Sequence, residues 1–147
     1  MQRCLLLLST ATALFAAQTW EGTWKRNAAK SQQSQVFELT CDLVPGGYRL
    51  SFTGRAPDLA ILDGKERRLT SPSRFYDTES WTRVDERSIE QVFKKDGKVV
   101  STERRVVSAD GKQMKQTIAR TGLDRRPEHF VYVYDKMADG SASAATA

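Results

Sequence analysis

The sequence is short of the residues that carry most enzyme chemistry. Among 147 residues there is one histidine, and there are two cysteines. A single histidine excludes a multi-histidine metal site, and it excludes any histidine-paired catalytic group that does not use His129. Two cysteines are too few for a disulfide scaffold. No glycine-rich loop follows a strand and opens a helix, and no group of ligating side chains has metal spacing. Hydrophobic residues make up 39%, below the globular average but above the disordered extreme. The length suits one domain.

The long uncharged apolar run lies at the start. Met1-Gln2-Arg3 is a basic tip, and Cys4 to Ala17 carries no charge and ends in alanines. These are the features of a secretory signal peptide, expected over residues 1–17. The run is shorter than the ~20 residues of a permanent helical span, so no stable membrane span is expected after cleavage. Cleavage after Ala17 leaves Phe15 where a small residue is preferred; cleavage after Ala13 meets the small-x-small rule with a shorter core. Arg3 is the one of the 23 basic residues that leaves with this segment, so 22 face 18 acidic ones, a balance of +4. Cys41 is then the only cysteine, and packing rather than a disulfide must hold the chain together. Residues 138–147 are small, polar and aperiodic and read as a disordered tail. The folded domain is expected over residues 18–137, exported to the periplasm or the medium.

Within that domain the apolar residues alternate with period two. Phe37, Leu39, Cys41 and Leu43 share one strand face, with Glu38, Thr40 and Asp42 on the other. Pro45-Gly46-Gly47 turns the chain, and Tyr48, Leu50 and Phe52 alternate with Arg49, Ser51 and Thr53. Asp63-Gly64, Asp96-Gly97 and Asp110-Gly111 supply the residues that tight hairpins require. Further strands are expected over residues 80–84, 89–94, 99–107, 112–120 and 129–136, with a short helical turn near 27–31. The fold class is therefore all-β, an antiparallel up-and-down β-barrel of about 8–10 strands. Closure removes exposed edges; an open, strongly curved sheet is the alternative.

Gly22-Thr23-Trp24-Lys25 resembles the G-x-W opening of the calycin superfamily, which includes lipocalins and fatty-acid-binding proteins. Val131 to Lys136 looks like the final strand of the fatty-acid-binding branch. The segments Gly22 to Ser31, Val84 to Glu90, Lys95 to Val100 and Arg105 to Lys112 together are similar to small exported bacterial lipocalin-like proteins, mostly uncharacterised. The resemblance implies a barrel and export, with Gly22 and Trp24 at one barrel end, and it implies no established activity. Fatty-acid-binding proteins hold a carboxylate with an Arg-x-Tyr pair on the last strand. Here those positions read Tyr132-Val133-Tyr134, so the arginine is replaced. That departure counts against a carboxylate site of the same kind.

The aromatics Phe37, Tyr48, Phe52, Trp81, Tyr132 and Tyr134 are candidates to line a cavity. A filled core explains them equally well. Adjacent strand residues face opposite sides, so one of Arg104-Arg105 points inward, and Arg105 shares its face with Glu103. Arg120 is a second inward candidate, against the plainer reading of a solvated, mixed-charge exterior. Cys41 reads as a buried small hydrophobe, and His129 as an exposed loop residue. The positive balance is spread along the strands among acids, and an export signal removes contact with nucleic acid, so no nucleic-acid partner is expected. No catalytic residue, metal or cofactor is assigned. The expected function is binding of a small apolar or amphipathic ligand inside a monomeric barrel, oriented by Arg105, Arg120 or Tyr134. The alternative is a structural or interaction module of the cell envelope with a filled barrel.

Overall fold

Period-two alternation builds strands along the whole domain, and short turns fold each strand back on its predecessor. The computed structural model describes residues 20–140, other than Ser34, Ser71 and Leu123. The expected signal segment 1–17 lies outside the described residues, as does most of the expected tail. The last strand runs to Asp139, two residues past the boundary expected for the domain.

Ten strands lie among the described residues: β1 (Gly22–Arg26), β2 (Glu38–Val44), β3 (Gly47–Phe52), β4 (Asp58–Ile61), β5 (Arg67–Arg68), β6 (Thr78–Asp85), β7 (Ser88–Lys95), β8 (Lys98–Val107), β9 (Gln113–Thr121) and β10 (Pro127–Asp139). They form one antiparallel sheet in the order β4-β3-β2-β1-β10-β9-β8-β7-β6-β5. The sheet is strongly curled into a half-barrel. Apart from β4 and β5, every strand pairs with its sequence neighbour, and β1 also pairs with β10. A 3-10 turn, Ala28–Lys30, follows β1 where a short helical turn was expected; the Asn27 side chain caps it by accepting from the Lys30 N–H. No helix among the described residues is long and apolar enough to cross a membrane.

The turn dipeptides act unequally. Asp96 and Gly97 both take positive φ, at 49° and 75°. That is the backbone a two-residue hairpin turn needs to match the strand twist, and it joins β7 to β8. Asp63-Gly64 does not close a hairpin, because β4 and β5 do not pair. Asp63 instead bridges to Thr82, and the Gly64 N–H donates to the Trp81 carbonyl at 2.8 Å. These bonds, with Arg83 Nη2 donating to the Tyr48 hydroxyl at 3.2 Å, join the two edges of the sheet at one end. The sheet edges themselves, β4 and β5, are not hydrogen-bonded to one another.

The joined end is filled. Trp20, Trp24, Leu39, Cys41, Tyr48, Leu50, Ala60, Trp81, Ile89, Val107 and Met114 pack there as the core. Trp24 is fully buried, and its indole N–H donates to the Trp20 carbonyl at 3.0 Å. Trp20 stacks obliquely on Tyr48 and donates to the Glu86 carbonyl in the β6–β7 turn, so the segment before β1 covers this end. Gly22 makes the arrangement sterically possible. Its φ is 125°, and a Cβ there would lie 2.2 Å from the Ala138 carbonyl oxygen. Leu43 departs from its expected place: it has inward parity but is 46% exposed, because it sits at the strand end beside the turn.

Cys41 lies in this filled end and is 2% exposed. Burial first, then the negative charge of Asp42, pushes its thiol up to about 12. The thiolate is the reactive form, so Cys41 is expected to resist thiol reagents while the chain is folded. In a chain lacking Cys4, Ellman's reagent should find no fast-reacting thiol in buffer and one equivalent in denaturant; rapid labelling of the native chain would contradict the packing described.

Candidate functional site

One step along the pleat from this core, the inner face changes from apolar to polar. The register brings Arg26 opposite Tyr134, Tyr132 opposite Gln116, Gln116 opposite Arg105, and Gln91 opposite Glu103. Strand parity therefore turns five strands' polar side chains into one belt. Arg26, Gln91, Arg105, Gln116 and Tyr134 are all buried.

The belt is one continuous hydrogen-bonded chain. Gln91 Nε2 donates to the Glu79 carboxylate at 2.7 Å. Arg105 donates from Nη1 to Gln91 Oε1 at 3.3 Å and from Nη2 to Glu103 Oε2 at 3.0 Å. Gln116 Nε2 donates to the same Glu103 oxygen at 2.7 Å. The Tyr134 hydroxyl donates to Gln116 Oε1 at 3.1 Å and accepts from Arg26 Nη2 at 3.0 Å. Buried polar groups are costly unless paired, and in this belt each amide both donates and accepts.

Arg26 is the exception. Its Nε is buried without a hydrogen-bond partner. Among the described residues no carboxylate lies within ion-pair distance of it. Its guanidinium instead faces aromatic rings, with centroids 4.1 Å away at Tyr132, 4.6 Å at Phe37 and 5.4 Å at Tyr134. A desolvated cation–π contact contributes about 2 kcal/mol, whereas burying an ion costs several kcal/mol. Three rings and one hydrogen bond offset much of that cost but leave the charge without a counter-ion. Among the described residues, Trp81 Nε1 is the other buried side-chain donor that completes no hydrogen bond, although the Glu79 carboxylate on the same strand face is close enough to interact with it.

Beyond the belt the inner face lines an open cavity of about 370 Å³. Its walls are Phe37, Phe52, Tyr76, Phe93, Ile118 and Tyr132, and its floor is the belt. Gln33 and Gln35 from the β1–β2 loop stand at the mouth, with Thr53 and Arg55 from the β3–β4 loop. Arg55 pairs with Asp58 and lies over the Phe52 ring at 4.0 Å.

Glu79, on β6, ends the belt by accepting from Gln91. Burial holds its carboxyl above the usual range; the Gln91 hydrogen bond opposes this, and the negative charges of Asp58 and Glu103 add to it. The folded chain thus holds this proton more tightly than the unfolded chain does. Its contribution to stability is fully present below the unfolded pKa and is lost as pH rises through the raised folded value. Glu79→Gln is expected to melt at a higher temperature than the parent at pH 7. The difference should vanish below about pH 4, where the carboxyl is protonated in both states. Thermal melts at the two pH values check this, and a variant less stable at pH 7 would contradict it.

Of the residues singled out from the sequence, Phe37, Phe52, Arg105, Tyr132 and Tyr134 line the cavity. Tyr48 and Trp81 lie in the filled end, buried among other side chains. Gly22 and Trp24 are at that end too. Arg105 makes the pair with Glu103 that strand parity suggests, while Arg104 is exposed. Arg120 has inward parity but does not enter the cavity. Its side chain is 51% exposed, bonds Glu128 at 2.7 Å and lies over the Phe130 ring. Its neighbours on β9 and β10 near the strand ends do not cover it. His129 is exposed on β10. Sequence reasoning missed Arg26. The signal was present, because Arg26 shares parity with Gly22 and Trp24, and those residues define the inward face of β1. Gln91 and Gln116 carried no comparable signal: an amide on a strand reads as a solvent-facing residue. In comparisons with known proteins, no family model matches this chain and no curated protein matches it.

Proposed function

We propose that this chain is an exported binding protein of the lipocalin-like kind, holding one small apolar or amphipathic molecule at the open end of the curled sheet. The observation that supports this most is the half-filled interior. A packed aromatic core occupies one end, and a cavity of about 370 Å³ with aromatic walls and a polar floor occupies the other. Small-molecule sites have volumes of about 300–1,000 Å³ and combine apolar walls with a few fixed polar groups. The filled end anchors the walls, and the belt fixes the floor through side-chain hydrogen bonds across five strands. Such a floor is set before any ligand arrives, which lowers the ordering cost of binding. The loops that carry Gln33, Gln35, Thr53 and Arg55 frame the entry.

Native mass spectrometry of the chain purified from its own source tests the proposal. One small molecule per chain, lost on mild activation, supports it. A bare chain under all conditions, together with no saturable uptake of neutral apolar probes, sinks it.

A further inference from the structure

We infer that the molecule held in the cavity is a small organic monoanion with an apolar, largely aromatic body, its charge placed on Arg26. This rests on the binding role proposed above and adds the chemical class of the ligand.

The inference follows from charge pairing around the cavity. Arg105 is paired with Glu103, and Arg55 with Asp58. Arg26 has one hydrogen bond, to a tyrosine hydroxyl, and a buried Nε with no partner. No carboxylate among the described residues is within ion-pair distance of it. The other belt side chains are hydrogen-bonded to one another and Arg105 is neutralised by Glu103, so an incoming anion finds the uncompensated charge at Arg26. A carboxylate suits a guanidinium, which offers several N–H donors in one plane. A second negative charge on the ligand would lie toward Glu103 and Asp58, which also line the space. Glu79 is the remaining acid nearby. It is bonded to Gln91 beyond the lining, and its raised pKa keeps it a reluctant anion. Among the described residues that line the cavity, Arg26 is the cation without an acid partner, and with the flanking acids it selects a single charge.

The body follows from the walls. A volume of about 370 Å³ lies at the small end of ligand sites, which run from about 300 to 1,000 Å³, and suits a body of one or two fused rings. Phe37, Phe52, Tyr76, Phe93 and Tyr132 present rings to it, and rings favour offset or edge contact with other rings.

Titration calorimetry with 1-naphthoate and its neutral isostere 1-naphthamide tests this, with the neutral naphthalene dye prodan as a control. The chain is expected to bind naphthoate at least about tenfold more tightly than naphthamide, the scale of one charge-assisted contact. Arg26→Gln should erase that ratio by weakening naphthoate more than naphthamide, and Tyr134→Phe, which removes the hydroxyl anchoring Arg26, should reduce it. If Arg26→Gln does not fold, the ratio in the parent chain still decides. Equal binding of the two naphthalenes overturns the anion inference and leaves the cavity role standing. Uptake of prodan without either naphthalene also overturns the inference alone. Saturable binding of none of the three overturns the binding role itself.

Discussion

Trp24→Ala is expected to lower the unfolding free energy by roughly 3–5 kcal/mol, the cost of truncating a fully buried tryptophan. Trp24 is 0% exposed, and it packs where β1 meets β2 and β10. Its indole donates to the Trp20 carbonyl, so truncation also frees the segment that covers the filled end. Trp20 in turn touches Tyr48 and the β6–β7 turn. The cavity left by truncation cannot collapse easily, because Gly22 already holds β1 against the Ala138 carbonyl. Domains of this kind have about 5–15 kcal/mol in total, so the variant should sit near the edge of folding. Urea denaturation monitored by circular dichroism checks this. A loss under about 1 kcal/mol would mean that Trp24 does not hold the closed end.

Arg105→Met is expected to cost roughly 3 kcal/mol, the low end of the penalty for breaking a buried ion pair from one side. The substitution leaves Glu103 with its remaining Gln116 bond and removes the donor to Gln91 Oε1. Arg105 also lies over the Trp81 ring at 5.1 Å, so packing is lost along with charge. The double variant Arg105→Met/Glu103→Leu should recover most of the loss, because replacing both members of a buried pair with apolar groups is often neutral. Stability measurements on the two singles and the double give the coupling directly. Purely additive losses would show that the belt is not one network.

The architecture was legible from alternation because a half-buried strand writes its inward face every second residue. Leu39, Cys41, Leu50, Trp81 and Met114 all obey that rule, and so does the inward turn of Arg105. The rule gives the face but not the height along the strand. Leu43 and Arg120 have inward parity, yet strand ends leave them in water. The same limit explains the filled and hollow ends. Tyr48 and Phe52 share a face, but Tyr48 is core and Phe52 is cavity wall. β5 is two exposed arginines, and no local pattern marks so short an edge strand. Asp63-Gly64 has hairpin chemistry, but the sheet edges meet there instead, which is a tertiary event. Arg26 follows a tryptophan and a lysine in a five-residue strand, too short for periodicity to stand out.

The central claim is that the open end of the sheet is a ligand cavity, and filling it is the most direct test. Ile118 is a half-buried wall residue on β9. Ile118→Trp extends an apolar ring into the space, where extra volume meets a void instead of packed atoms. Fluorescence titration with prodan is predicted to give one saturable site in the parent chain. In Ile118→Trp the affinity should fall by roughly 100-fold, ~2.7 kcal/mol, with the melting temperature held within a few degrees. Unchanged affinity in a folded variant, or no saturable site in the parent, would contradict the account.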